Sequence, residues 1–273
     1  MFKTRLLSGI VLVAIIVAFG ILGGYYLFGF TLAISLIGMY ELYRVFKIER
    51  TALGLFGYLA AICYDLNLLW HFIPGRDAAV MIFAGLFILL MAVFVFGYPK
   101  FDVTQVMASF FGMFYVAVML SFVYRLRTEI PNGLYLVFLI YLCAWGSDTF
   151  AYVSGKTFGK GGKHKMTPKL SPNKTIEGGI GGVLGAGIIT AIYCTIFASA
   201  MNLDATKIVI LALIAAAGGL VSMIGDLCAS AIKRFYDIKD YGKLIPGHGG
   251  IMDRFDSIII TAPIIYYLAF LFV

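Results

Sequence analysis

Ten of the 31 residues from Asp226 to Asp256 are charged, in a chain that is only 13% charged. An apolar run delivers the chain to Asp226 and another begins just after Asp256. Carboxylates interleaved with Lys and Arg at a membrane boundary are costly to keep unless they bind something. Acidic side chains suit a hard divalent cation and basic ones suit phosphate oxygens, so the stretch carries both halves of a site for a metal–polyphosphate substrate. Asp226, Ser230 and Lys233 fall at i, i+4 and i+7 and share one face of a helix. Pro246-Gly247-His248-Gly249-Gly250 cannot continue that helix, and its turn brings Asp253-Arg254-Phe255-Asp256 back towards Asp226. A solvated interfacial loop would account for the charges, but not for a proline, glycines and paired acids at one boundary.

A second polar region begins inside an earlier apolar run. Asp148, in Trp145-Gly146-Ser147-Asp148-Thr149, precedes its charged loop by several residues. An acid within an apolar helix is a functional candidate, with a serine-bonded structural role as the alternative. The loop that follows carries Lys156, Lys160, Lys163, Lys165, Lys169 and Lys174. Attraction to anionic lipid would explain those lysines, but not the Ser171, Asn173 and Thr175 set among them. Neutral and cationic donors side by side suit a triphosphate or a phosphate monoester. No Gly-x4-Gly-Lys-Ser/Thr occurs, so this is not a P-loop. The glycines from Gly178 to Gly187 recur at four-residue spacing (Gly178/Gly182, Gly181/Gly185), which reads as close helix packing rather than a nucleotide loop.

Ser230-Ala-Ile-Lys233-Arg234, Lys239-Asp240 and Pro246-Gly-His248-Gly249-Gly250-Ile-Met-Asp253-Arg254-Phe-Asp256 together resemble the signature of the phosphatidate cytidylyltransferases, or CDP-diacylglycerol synthases. Asp148-Thr-Phe-Ala-Tyr152 and Ser171-Pro-Asn173-Lys174-Thr175-Ile-Glu177-Gly178 are similar to two further segments of that family. The resemblance is dense from Asp148 to Asp256 and elsewhere rests on length and hydropathy. It implies CTP and phosphatidic acid as substrates, Mg²⁺ as cofactor and CDP-diacylglycerol with pyrophosphate as products. On that reading Asp226 and Asp253 are the leading Mg²⁺ ligands, with Asp256 or Asp148 as additions. Ser230, Lys233 and Arg234 would hold phosphate oxygens, Ser171, Asn173, Lys174 and Thr175 would meet the second polyanion, and His248 and Arg254 would help close the site. Which loop takes CTP and which takes lipid stays open. A CTP-dependent kinase of a lipid alcohol is the nearest alternative and would need a base for the hydroxyl. A cation transporter is the more distant one, and it would spread ionisable residues through several spans instead of gathering them at one face.

These residues must be positioned by a membrane fold. The chain has 273 residues, is 62% hydrophobic and has a mean hydropathy of +0.97, more apolar surface than a soluble domain of this size can hide. The net charge of +7 therefore points to cytoplasmic loops, anionic ligands and membrane lipids rather than nucleic acid. The four cysteines lie within or at the ends of apolar runs, without metal spacing, and read as buried free thiols. Apolar runs at 6–22, 25–43, 52–71, 78–97, 103–124, 133–155, 178–200, 206–227 and 257–273 predict an all-α integral membrane protein of about nine transmembrane helices with two polar cytoplasmic loops. Residues 1–273 form one polytopic domain, with 1–147 mainly scaffold, 148–256 catalytic and 257–273 the last span. A homodimer is an open assembly.

With the N-terminus inside, alternate loops place 17 Lys and Arg inside and four (Arg76, Arg125, Arg127, Lys207) outside. That bias predicts a site on the cytoplasmic face; a bacterial plasma membrane is the expected location. In the scaffold half, Glu41 and Arg44 are placed to pair across one helical turn, and Asp65 and His71 read as interfacial.

Overall fold

The computed structural model describes residues 2–75, 77–159 and 164–272; Arg76, Lys160 and Lys163 of the charge count lie outside them. Among the described residues nine helices are long and apolar enough to cross a bilayer. They are α1 (Phe2–Leu22), α2 (Gly24–Val45), α3 (Ala52–Trp70), α4 (Ala78–Phe96), α5 (Val103–Glu129), α6 (Gly133–Phe158), α7 (Ile176–Ile196), α8 (Ala205–Phe235) and α9 (Met252–Phe272). Apolar runs near the length that spans a bilayer account for their number, and side-chain caps fix several starts. Thr51, Asp102, Thr175 and Asp204 each accept a backbone N–H three residues ahead, and Asp102 with Gln105 forms a reciprocal capping box. Hydropathy is blind to two single-turn π segments, Met113–Val118 in α5 and Leu142–Gly146 in α6.

Two boundaries differ from the sequence reading. The last span starts at Met252 rather than 257, so Asp253 and Asp256 stand on the first turns of α9 and not in a loop. Helix α8 continues through the charged segment to Phe235, 31 residues in all, or about 46 Å at 1.5 Å per residue. That exceeds the roughly 30 Å hydrocarbon core, so one end of α8 reaches beyond the apolar layer. A charge-based reading ends a span at its first cluster of charged residues, whereas these helices carry the charges as part of their length. The first polar loop also contains a small antiparallel hairpin, β1 (Lys165–Thr167) with β2 (Ser171–Thr175), that leads into α7.

The packing around the site runs through glycine. A Cβ at Gly185 would fall 2.1 Å from the Phe150 ring, at Gly181 1.9 Å from Ser154 Oγ, and at Gly182 2.8 Å from the Ser147 carbonyl. The four-residue glycine spacing of α7 is thus the seat of α6, as the spacing implies. A Cβ at Gly225 would fall 2.8 Å from the Asp256 carbonyl oxygen and 3.2 Å from Ser257 Cα, so its absence lets α8 lie close against α9. At the far end of α9, Arg125 bonds Glu129 (3.0 Å) and the Tyr266 hydroxyl (3.0 Å), tying α9 to α5. Asp65 departs from its interfacial reading: it is buried within α3, while His71 is exposed at that helix's C-terminus. Cys143 and Cys194 are buried free thiols, but Cys63 is only half-buried and Cys228 is exposed.

Candidate active site

The site is assembled where the hairpin, α6, α8 and α9 converge. On α8, Asp226 faces the hairpin and pairs with Lys174 of β2. Two turns further along α8, Lys233 Nζ lies 2.9 Å from Asp253 Oδ1 on α9. The helical spacing of Asp226 and Lys233 thus presents one carboxylate and one ammonium, each matched from another element. Ser230, between them, is half-buried, and Arg234 is exposed in the last turn of α8.

Asp253 is buried and doubly fixed. Its Oδ2 accepts the backbone N–H groups of Tyr241 (2.8 Å) and Gly250 (3.0 Å), so one oxygen holds both flanks of the intervening loop. Asp256, one turn on, is also buried and accepts the Ser257 N–H at 2.7 Å. Asp148 on α6 is exposed. It stands within electrostatic reach of Asp226, Lys174 and Arg254, and Asp256 within reach of Asp226, Lys233 and Asp148. Three acids from three helices therefore feel one another's charge with Lys174 and Lys233 close by.

Of the second predicted set, Lys174 reaches this centre, whereas Asn173 is exposed and Ser171 half-buried on the hairpin. Thr175 is buried, and its hydroxyl oxygen accepts the Gly178 N–H at 3.1 Å as the N-cap of α7. His248 turns towards α1: its Nδ1 lies 2.8 Å from Ser8 Oγ, which is also 3.0 Å from the Pro246 carbonyl oxygen. Partial burial, with Arg254 and Arg5 nearby, holds the His248 imidazole below its ordinary pKa. Arg254 Nε donates to the His248 carbonyl at 2.9 Å. Arg254, Arg5, Lys239, Lys243 and Asp240 line a polar cavity of about 670 Å³. A second cavity, of about 760 Å³ and walled mainly by apolar side chains of α1, α6 and α7, includes Gly146 and Thr149 of α6 in its lining.

Glu41 and Arg44 were expected to pair with each other; instead both leave α2 for the signature loop. Glu41 Oε1 and Oε2 accept the N–H groups of Ile251 (3.1 Å) and Met252 (2.9 Å), and Arg44 Nη2 donates to the Tyr241 carbonyl at 2.5 Å. The scaffold half thus enters the site, and so does Ser8. One signal could have found Glu41. It is an acid within the apolar run 25–43, the criterion that singled out Asp148.

As to a metal, no three His, Cys, Asp or Glu side chains among the described residues form a ready-made cage. Mg²⁺ bound with a polyphosphate needs only one or two protein carboxylates, since phosphates and waters complete its shell. The donors here are hard carboxylate oxygens, and the mutual repulsion of Asp148, Asp226 and Asp256 is what a divalent cation relieves. The donor set therefore fits Mg²⁺.

The Cytidylyltransferase family profile matches residues 3–272. A protein of Bacillus subtilis (strain 168) named phosphatidate cytidylyltransferase is 34% identical over 275 residues, covering 99% of this chain and 98% of the relative. One of the same name from Staphylococcus haemolyticus (strain JCSC1435) is 32% identical over 267 residues, covering 97% and 98%. Another, from Rickettsia bellii (strain RML369-C), is 34% identical over 201 residues, covering 72% and 85%. With a match running almost from end to end, this chain belongs to the cytidylyltransferase family.

Proposed function

We propose that this membrane protein transfers the cytidylyl group of CTP to phosphatidic acid, giving CDP-diacylglycerol and pyrophosphate, with Mg²⁺ and at the cytoplasmic face of a bacterial plasma membrane. The observation that carries the reading is the convergence of the Lys174–Asp226 and Lys233–Asp253 pairs at the ends of apolar spans. CTP and phosphatidate are what the relatives' names imply.

In this reaction a phosphate oxygen of the lipid bonds to the α-phosphorus of CTP as the bond to the bridging pyrophosphate oxygen breaks. The nucleophile is already anionic, so no strong base is required. The obstacle is the approach of two polyanions and the charge of the in-line transition state, which fixed cations relieve by position and electrostatics. Lys174 and Lys233 are held by carboxylates in the resting chain, ready to share their protons with phosphate oxygens. Arg254, Lys239, Lys243 and Arg5 add cationic donors along the polar cavity. Asp226 and Asp253 would hold Mg²⁺, with Asp256 and Asp148 alongside; when bound, it supplies neutralisation of phosphate charge. The apolar cavity lined in part by Thr149 gives acyl chains a place along α6, the helix that carries Asp148. The 17-to-4 distribution of Lys and Arg supports the cytoplasmic placement. Purified protein given labelled CTP, Mg²⁺ and phosphatidate should yield a labelled liponucleotide, and chelation should abolish it. Undiminished product under chelation would remove Mg²⁺ from the reading, and no product at all would overturn it.

A further inference from the structure

The loop between α8 and α9 contains four glycines, and they fall into two kinds. Gly247 (φ 77°) and Gly249 (φ 90°) occupy the left-handed region, where a side chain is strained. Gly242 and Gly250 have no such backbone requirement. What excludes a side chain from them is Glu41: a Cβ on Gly242 would lie 2.1 Å, and one on Gly250 2.3 Å, from its carboxylate oxygens. An acid from α2 is therefore seated between the two flanks of the loop, only 4% exposed, and both flanks are reduced to bare backbone to admit it.

Its hydrogen bonds explain the close fit. The residues that precede α9, Gly249, Gly250 and Ile251, carry no side-chain acceptor for the first N–H groups of that helix. Glu41 supplies it from 210 residues away at Ile251 and 211 away at Met252, where its charge also favours the positive end of the helix. One turn along α2, Arg44 holds the Tyr241 carbonyl, and the Tyr241 N–H in turn bonds Asp253. Every contact that orients Asp253, apart from Lys233, thus passes through backbone that Glu41 or Arg44 fixes or flanks.

We propose that Glu41, assisted by Arg44, is a positioning residue that sets the carboxylate of Asp253 through the backbone of residues 241–252, and that Gly242 and Gly250 are glycine to receive it. The proposal rests on the reading of Asp253 as a ligand of the substrate-bound cation. Groups that orient a ligand from behind typically change metal affinity or activity by about 10–100-fold when removed.

The test measures turnover, Mg²⁺ dependence and amide exchange in the full-length protein in detergent. Glu41→Ala should lower kcat by about 10–100-fold and raise the Mg²⁺ concentration for half-maximal rate, with KM for CTP changing far less. Hydrogen exchange at residues 241–252 should accelerate while that of α4 stays as it was. Glu41→Gln, which keeps the shape and one acceptor, should fall between, and it carries the test if the alanine variant does not fold. Gly250→Ala should resemble Glu41→Ala, and the double variant should lose little more than either alone, because both break one contact. Unchanged exchange at 241–252 in Glu41→Ala or Glu41→Gln, additive losses with Gly250→Ala, or a change confined to KM for CTP would each overturn it. The exchange measurement does not depend on the reaction, so a chain that made no liponucleotide would leave this arm still decisive.

Discussion

The two lysine–carboxylate pairs differ in burial, and this predicts that equal losses of activity accompany unequal losses of stability. The side chains of Lys174 and Asp226 are 24% and 27% exposed, and those of Lys233 and Asp253 are 15% and 3% exposed. Asp226→Asn removes one charge from a pair whose carboxylate is 27% exposed although the Lys174 Nζ is buried, so its cost lies above the about 0–1 kcal/mol of a surface pair and below that of a dry one. Asp253→Asn leaves Lys233 without its counter-charge in a nearly dry setting, where breaking a pair costs about 3–5 kcal/mol. The asparagine oxygen can still accept from both Tyr241 and Gly250, but its Nδ2 then faces the Lys233 ammonium with no lone pair to offer, which keeps the loss towards the upper end. Lys233→Met combined with Asp253→Asn removes the uncompensated charge, so the double variant should melt above the Asp253→Asn single variant. The assay is thermal unfolding of purified protein in detergent beside turnover with CTP and phosphatidate. Both single aspartate variants should lose turnover by orders of magnitude, with Asp253→Asn melting well below Asp226→Asn. Equal melting of the two, or a double variant less stable than Asp253→Asn, would refute the argument from burial.

Gly185→Ala places a methyl group 2.1 Å from the Phe150 ring and should lower the melting temperature, by about 1–3 kcal/mol in stability, whereas Gly85→Ala on α4 meets nothing within 4 Å and should be neutral or slightly stabilising. For topology, a cysteine at exposed position 243, in a background without the four native thiols, should resist labelling from outside intact cells; ready labelling would mean that the loop faces out. The corresponding test at position 163 falls outside the described residues. His248 has a depressed pKa, so the unfolded chain takes up its proton more readily and stability contributed by the neutral ring is lost as pH falls below about 6.5. Melting at pH 5.5 against pH 7.5 should show a smaller acid-induced drop in His248→Gln than in the unmutated chain, and an equal drop would exclude His248 as a source.

Much of this molecule is legible in its sequence because the bilayer imposes a simple rule. Each apolar run near 20 residues became a helix, and the glycine spacing of α7 became its contact with α6. Asp226 and Lys233, two turns apart on one helix as their spacing implies, each meet an opposite charge on another element. What stayed hidden depends on contacts distant in sequence. Glu41 and Arg44 sit in a half with no other chemical signal, and their partners lie about 200 residues away, beyond any local periodicity. The same holds for Ser8 at His248. Helix ends were misplaced where charge and helicity disagree, since Asp253 and Asp256 lower hydropathy without interrupting backbone hydrogen bonding. Asp65 shows the reverse error: a single acid near a predicted span end reads as interfacial, although the chain buries it.

The most direct test of the central claim offers the purified protein CTP with phosphatidate and, separately, CTP with diacylglycerol. A lipid phosphate brings about two negative charges to the site and an alcohol brings none. The Lys and Arg gathered around Asp226 and Asp253 suit two anionic substrates better than one. The account predicts release of pyrophosphate with phosphatidate and no reaction with diacylglycerol. Release of CDP with diacylglycerol, and no pyrophosphate with phosphatidate, would contradict it.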